Sequence, residues 1–241
     1  MTSSVTPRTR SRRVRSFLVT FRNILGVVAL AGVVRADALS DVLARLDKSA
    51  QEFRSFSASV KRTEFTAVLG EADSSNGAVR VRKTKNGLSG IMEFGEPDPR
   101  TMHFGGKTFE TYYPKAGRVE IIDLGKRSGA AEQFLLLGFG MTVAEIRKTY
   151  DVKLGGVEQA AGVPATRIEL LPHEGEVKKL ITKIELWVPE GQGNPVQEKV
   201  TQPSKNYSLF TYSELKNNPS LPDAAFGLNV PANVKRIYPQ K

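Results

Sequence analysis

Cysteine is missing from all 241 residues. That absence excludes disulfides, Cys-ligated zinc, a thiol nucleophile and the lipidated cysteine of a bacterial lipoprotein. Histidine is nearly missing too: only His103 and His173 occur, so a zinc site would have to draw on scattered Asp and Glu. Low-complexity linkers and a period of roughly 20 to 50 residues are also lacking, which favours one domain over a repeat array. Beyond one N-terminal stretch, no apolar run approaches the length that spans a bilayer.

Positive charge is scarcer than the formal +10 suggests. Arg8, Arg10, Arg12, Arg13, Arg15, Arg22 and Arg35 lie in the first 36 residues, which hold no acid, so the remainder carries only about +3. A mildly basic body gives little reason to expect a nucleic-acid partner. The basic start leads into the apolar run Ile24–Val34 and then the small residues Ala36 and Ala38. That layout predicts a secretory signal peptide over 1–36, cut after Ala36 with Ala38 as the second choice, and hence an exported protein. Ser11-Arg12-Arg13 faintly matches a twin-arginine signal, but Phe17-Leu18 sits too far from the arginines.

From Leu39 to Phe53 the apolar residues Leu39, Val42, Leu43, Leu46, Ala50 and Phe53 share one helical face, with Asp37 or Ser40 as N-cap candidates. After Phe56 the period changes to two. SASVKRTEFTAV, GAVRVRK, GLSGIMEF, RTMHF, TFETYY and RVEIIDL read as strands, separated by EADSSNG, Lys85-Asn86-Gly87, Gly105-Gly106-Lys107 and Pro114–Gly117 as turns. Helical spacing returns between Gly129 and Tyr150, with Thr142 an N-cap candidate. Five further strands follow, with turns expected at Gly155-Gly156 and Asn194-Pro195, and then a short helix or turn and an extended tail. The sum is about eleven antiparallel strands and two or three helices.

Several strands are apolar on one side and charged on the other, for example Val79 and Val81 against Arg80 and Arg82. So few helices are too little to cover the dry face of so large a sheet, which predicts a cavity; a filled core is the alternative.

Catalytic sets are hard to find. Gly105-Gly106-Lys107-Thr108 ends like a phosphate-binding loop, but Thr101 stands where its first glycine belongs and a strand follows where a helix is needed. Glu174 with Glu176 and Glu120 with Asp123 lack an apolar pocket to split their pKa values. Trp187 reads as an edge packer or an interaction residue. No serine has a base beside it in any motif. A binding protein is therefore expected and not an enzyme, with no catalytic residue, cofactor or metal.

The stretch Ala36–Lys48 after the export signal, the phrase PDPRTMHFGGKTFETYYP and the late order of IELWVP, a Pro-Val strand and FTYSEL resemble the LolA family of outer-membrane lipoprotein carriers, over nearly all of residues 37 to 237. The resemblance implies a mainly β fold with a few helices: an incomplete, half-open antiparallel β-barrel of about eleven strands under an α-helical lid, occupying 37–241. It implies a periplasmic carrier that binds acyl chains of lipoproteins in a hydrophobic cavity and passes them toward the outer membrane. Its partners would be acylated lipoproteins or lipids, an inner-membrane lipoprotein-releasing transporter and an outer-membrane acceptor, with the carrier a monomer. The alternatives are an RseB-like sensor of lipid or stress, or a carrier of another lipid or glycolipid.

The inward apolar residues expected to form the acyl-chain cavity are Val79, Val81, Met92, Phe94, Met102, Phe104, Leu135, Leu136, Phe139, Ile168, Leu170, Ile184 and Leu186. Leu43 and Leu46 are expected beneath the lid. Where the family carries an Arg that latches the lid, this chain has Lys83, which lacks the planar fork.

Overall fold

A computed structural model describes residues 25–85, 87–125 and 137–239. The chain divides into two compact units, Met1–Ala36 and Asp37–Lys241. Most of the expected signal peptide lies outside the described residues, and the account below concerns the second unit. No helix among the described residues is long and apolar enough to cross a membrane.

Helix α1 (Leu25–Glu52) contains the expected amphipathic segment, with Val42, Leu43, Leu46 and Ala50 buried. It runs through Asp37 and Ser40 without a break, so neither residue caps it. Twelve strands form one sheet: β1 (Ser55–Thr66), β2 (Glu71–Thr84), β3 (Gly87–Phe94), β4 (Arg100–Gly105), β5 (Thr108–Tyr113), β6 (Arg118–Asp123), β7 (Tyr150–Ala160), β8 (Val163–Pro172), β9 (Lys183–Pro189), β10 (Gln197–Thr201), β11 (Tyr207–Asn217) and β12 (Lys235–Ile237). Helices α2 (Val143–Thr149) and α3 (Glu176–Leu180) interrupt the strands. The order across the sheet is β12-β6-β5-β4-β3-β2-β1-β11-β10-β9-β8-β7, with two free ends, so the sheet is open and not closed into a barrel. The first eleven strands pair antiparallel; β12, the extended tail, adds to β6 in parallel.

Two expected turns are strand instead. EADSSNG belongs to β2, whose ladder with β1 continues to the pair Thr66 and Glu71. Long-range pairing there overrides the turn preference of Asp, Ser and Asn, and Thr63 Oγ1 meets Ser74 Oγ at 2.9 Å across the ladder. Gly155-Gly156 is a bulge inside β7, where the register against β8 slips. A Cβ on Gly155 would lie 2.6 Å from Arg167 Nε, which explains the glycine. The chain reverses at Ala161-Gly162, both at positive φ as a two-residue hairpin turn needs.

Thr142 caps α2 as expected: its hydroxyl accepts from the Glu145 amide while the Glu145 carboxylate accepts from the Thr142 amide. These bonds hold the Glu145 carboxyl below its usual pKa.

The inner face of the sheet carries two apolar clusters. Over β8 and β9, Ile168, Leu170, Ile184 and Leu186 are fully buried against Val42, Leu43 and Leu46 of α1, Ile146 of α2 and Leu137. Over β1 to β4, the second cluster joins Phe53, Phe56, Val79, Val81, Phe104 and Phe139. Phe139 stacks on Phe56 at 4.2 Å between centroids and meets Tyr212 edge-on at 5.1 Å.

Candidate binding cavity

The β pleat sets which side chains face inward. Cross-strand registers align Val81, Gly90, Phe104, Phe109 and Ile122 from β2 to β6, with Met92 and Met102 in the next row. Where the first row crosses β3 it meets Gly90, which has no side chain to fill the space. A cavity of about 380 Å³ opens over these rows, lined also by Arg62, Leu124 and Phe210. A narrow annex of about 30 Å³ continues toward Val79, Phe56, Phe139, Glu198 and Tyr212.

Burial separates the two halves of the face. Ile168, Leu170, Ile184 and Leu186 have no exposed surface. Met92, Met102, Phe109, Ile122, Leu124 and Phe210 are only half-buried, although they lie on the same apolar face. Among the described residues, the helices cover one half and leave the other half hollow.

The expected cavity residues are therefore divided. Val81, Met92, Met102 and Phe104 line the cavity, and Val79 and Phe139 line the annex. Phe94 is buried in the adjoining cluster but lies outside both linings. Ile168, Leu170, Ile184 and Leu186 belong to the filled core, because α1 and α2 pack directly on them. Leu135 and Leu136 lie outside the described residues. Phe109, Ile122, Leu124, Phe210, Gly90 and Arg62 were not expected in the lining; the period-two pattern continuing through TFETYY and RVEIIDL was the available signal for the first two.

Leu43 and Leu46 sit on that filled core. Lys83 is exposed, with Nζ 5.4 Å from the Phe53 ring centroid and its backbone amide donating to Arg54 O at 2.8 Å. Helix α1 is held by other groups. Ser49 Oγ donates to Asn194 Oδ1 at 2.8 Å, Arg45 Nε donates to Gln192 O at 3.0 Å, and Asp47 accepts the Val143 amide at 2.9 Å. A Cβ on Gly193 would lie 2.6 Å from Arg45 O, so this loop can reach α1 only with glycine there. Arg82 works on the opposite face: it donates to Leu221 O and Asp223 and stacks on Phe226, fixing the C-terminal turn.

Two ionisable groups face the hollow half. Glu198 is buried in the annex and accepts from the Tyr212 hydroxyl at 3.3 Å. Burial pushes its pKa up to about 8 and pushes Tyr212 up as well. Arg62 is 7% exposed, places its guanidinium over the Phe94 ring at 4.7 Å and donates from Nη2 to Glu64 at 2.7 Å. Burial, with Asp98 and Asp73 nearby, raises the Glu64 pKa.

Among the described residues, no group of three or more His, Asp and Glu could hold a metal. His103 lies on the outer face beside Glu110, 3.9 Å away, half-buried and with its pKa lowered by burial. His173 contacts Asp151 at 3.2 Å. Gly105–Thr108 is the β4–β5 hairpin, with Gly106 at positive φ. Trp187 is packed on the outer face of β9 with Ala160 and Ala165, and its indole donates to Glu158.

No protein-family model matches the sequence, and no curated protein matches it. Solved structures of similar fold include MucB, at 14% identity over 83% of this chain and 65% of that one, with a TM-score of 0.49. The Pseudomonas aeruginosa MucA/MucB complex matches at 15% identity over 80% of this chain, 61% of that chain and a TM-score of 0.46. This chain thus spans less than two thirds of either. The Mycobacterium tuberculosis lipoprotein LppX matches at 16% identity over 77% of this chain and 98% of that one, with a TM-score of 0.47. Likenesses at this level carry no conclusion about ligand or partner.

Proposed function

We propose that this protein is an exported carrier that shields an acyl chain from water without covalent chemistry. The observation that carries the reading is the contrast on one sheet face: a sealed half, and a half where apolar side chains surround about 380 Å³ of open space. Ligand pockets are of this size and apolar character. A cavity of about 150 Å³ holds a six-carbon ring, so this one has room for about 15 carbons, a single chain. Burying such a chain contributes on the order of 10 kcal/mol before the costs of association, at about 0.8 kcal/mol per CH₂.

The finer form of the reading, transfer of lipoproteins toward the outer membrane between a transporter and an acceptor, follows from the sequence resemblance. A cargo with several chains would require α1 to lift off the β9–β10 loop. The reading is tested by isolating the protein from its native host, extracting it with organic solvent and identifying the bound molecules by mass spectrometry. An acylated molecule at near one per protein is expected. Met102→Trp, which fills the cavity, should cut uptake of a fluorescent fatty-acid probe at least tenfold while keeping the unfolding midpoint. An empty protein that takes up no probe would sink the proposal.

A further inference from the structure

Along the inner face of β1, the apolar series Phe56, Ala58 and Val60 ends at Arg62, and Glu64 follows. Arg62 therefore stands where the greasy floor meets the polar end of the sheet. It lines the cavity, is 7% exposed, and its Nε is buried without any hydrogen-bond partner. A guanidinium has five N–H donors in a rigid fork, and the described residues give this one a single acceptor, Glu64. That acceptor is shared: Arg100 Nη2 also donates to Glu64 at 3.1 Å and contacts Asp98 at 3.3 Å. One half-exposed carboxylate thus serves two guanidiniums. A buried, cationic donor left without an acceptor is costly, and among the described residues the other lining side chains of the pocket are apolar and offer none. An anionic ligand can compensate the part of this charge that the shared Glu64 carboxylate does not.

We propose that the cavity takes a single-chain amphiphile with an anionic head, of the long-chain fatty-acid class, whose carboxylate pairs with the Arg62 guanidinium while the chain lies over Met92, Met102 and Phe104. This rests on the acyl-binding reading above and adds the head group to it. The polar end around Glu64, Asp98 and Arg100 is where the head meets water, and the row through Gly90 is where the chain is covered. An acyl chain linked through a neutral ester or amide offers the guanidinium only an uncharged carbonyl oxygen, a weaker acceptor than a carboxylate, so the site favours the anionic class.

The test is calorimetric titration of the full-length protein, stripped of bound lipid, with myristate, tetradecyl phosphate and tetradecanol at pH 8. The expected result is that myristate binds at least tenfold more tightly than tetradecanol. Arg62→Met should bring myristate down to the affinity of the alcohol and leave the alcohol within threefold of its wild-type value. Arg62→Lys should retain part of the preference, and Glu64→Gln, which removes the competing negative charge, should tighten myristate alone. A phosphate preferred as strongly as the carboxylate supports the anionic-head assignment and shows that the head need not be a carboxylate. Equal wild-type affinity for myristate and tetradecanol overturns the proposal without any variant having to fold, as does a preference that survives Arg62→Met. If no chain binds while the protein remains folded, the acyl-binding reading fails and takes this proposal with it.

Discussion

A single acid, Glu198, makes the hollow half of the molecule sensitive to pH. Its pKa rises to about 8, through burial, while in the unfolded chain it returns to the usual carboxylate value. Between those values the folded protein holds a proton that the unfolded chain has lost, so stability falls as pH rises from about 4.5 to about 8. The expected loss is on the order of a few kcal/mol. Urea midpoints measured at pH 5, 6.5 and 8 should fall for the wild type and vary less for Glu198→Gln, which is the more stable protein at pH 8. A wild-type midpoint that falls no more than that of Glu198→Gln over this range would show that burial does not raise this acid. At this scale the sequence was only partly legible. The capping box at Thr142 and Glu145 could be read directly, because both partners lie within one turn. Arg62 and Glu198 could not, because in a period-two pattern a charge on the inner face looks like the ordinary wet side of a strand. Lys83 stands in the place of the family's latching Arg without its planar fork, and its neighbour Arg82 is the one that donates side-chain hydrogen bonds, on the other face.

The elements depend on a few close approaches. The β9–β10 loop carries Gly193 against the backbone of α1, and Gly138, at positive φ, sits under Pro195. Gly193→Ala is expected to destabilise the protein by about 1–3 kcal/mol, and Ser49→Ala by about 0.5–1.5 kcal/mol, both read from urea unfolding. A Gly193→Ala midpoint equal to the wild type would mean that the loop does not need its observed contact with α1. At the far end, Arg80 donates to Ala225 O and Arg82 to Leu221 O. Arg82→Ala should make the chain beyond Asn218 cleavable by limited proteolysis while the sheet stays intact, and resistance equal to wild type would show that Arg82 is dispensable there. Strand identity was legible wherever alternation ran for five or more residues. Turn positions were less so. Gly155-Gly156 has the composition of a turn, but what it accommodates is the Arg167 side chain arriving from β8, a partner that local sequence cannot show.

Across the whole molecule, one face of one sheet has two densities. The expectation of a large sheet with too few helices to cover it describes the outcome, yet it placed the hollow too widely, because no local pattern tells which strands α1 lies on. Hydrogen exchange should reflect the division: amides of β8 and β9 should exchange most slowly, and β4 to β6 faster. Bound ligand should slow exchange in β3 to β6 and leave β8 and β9 unchanged; slowing confined to β8 and β9 would place the ligand in the wrong half. The lone tryptophan adds a practical consequence. Trp187 sits on the outer face of β9, against Ala160 and Ala165 and away from the cavity. Its fluorescence is therefore a spectator to occupancy: it will report cleanly when the sealed half melts, and a binding titration followed by its emission would stay flat even as the cavity fills.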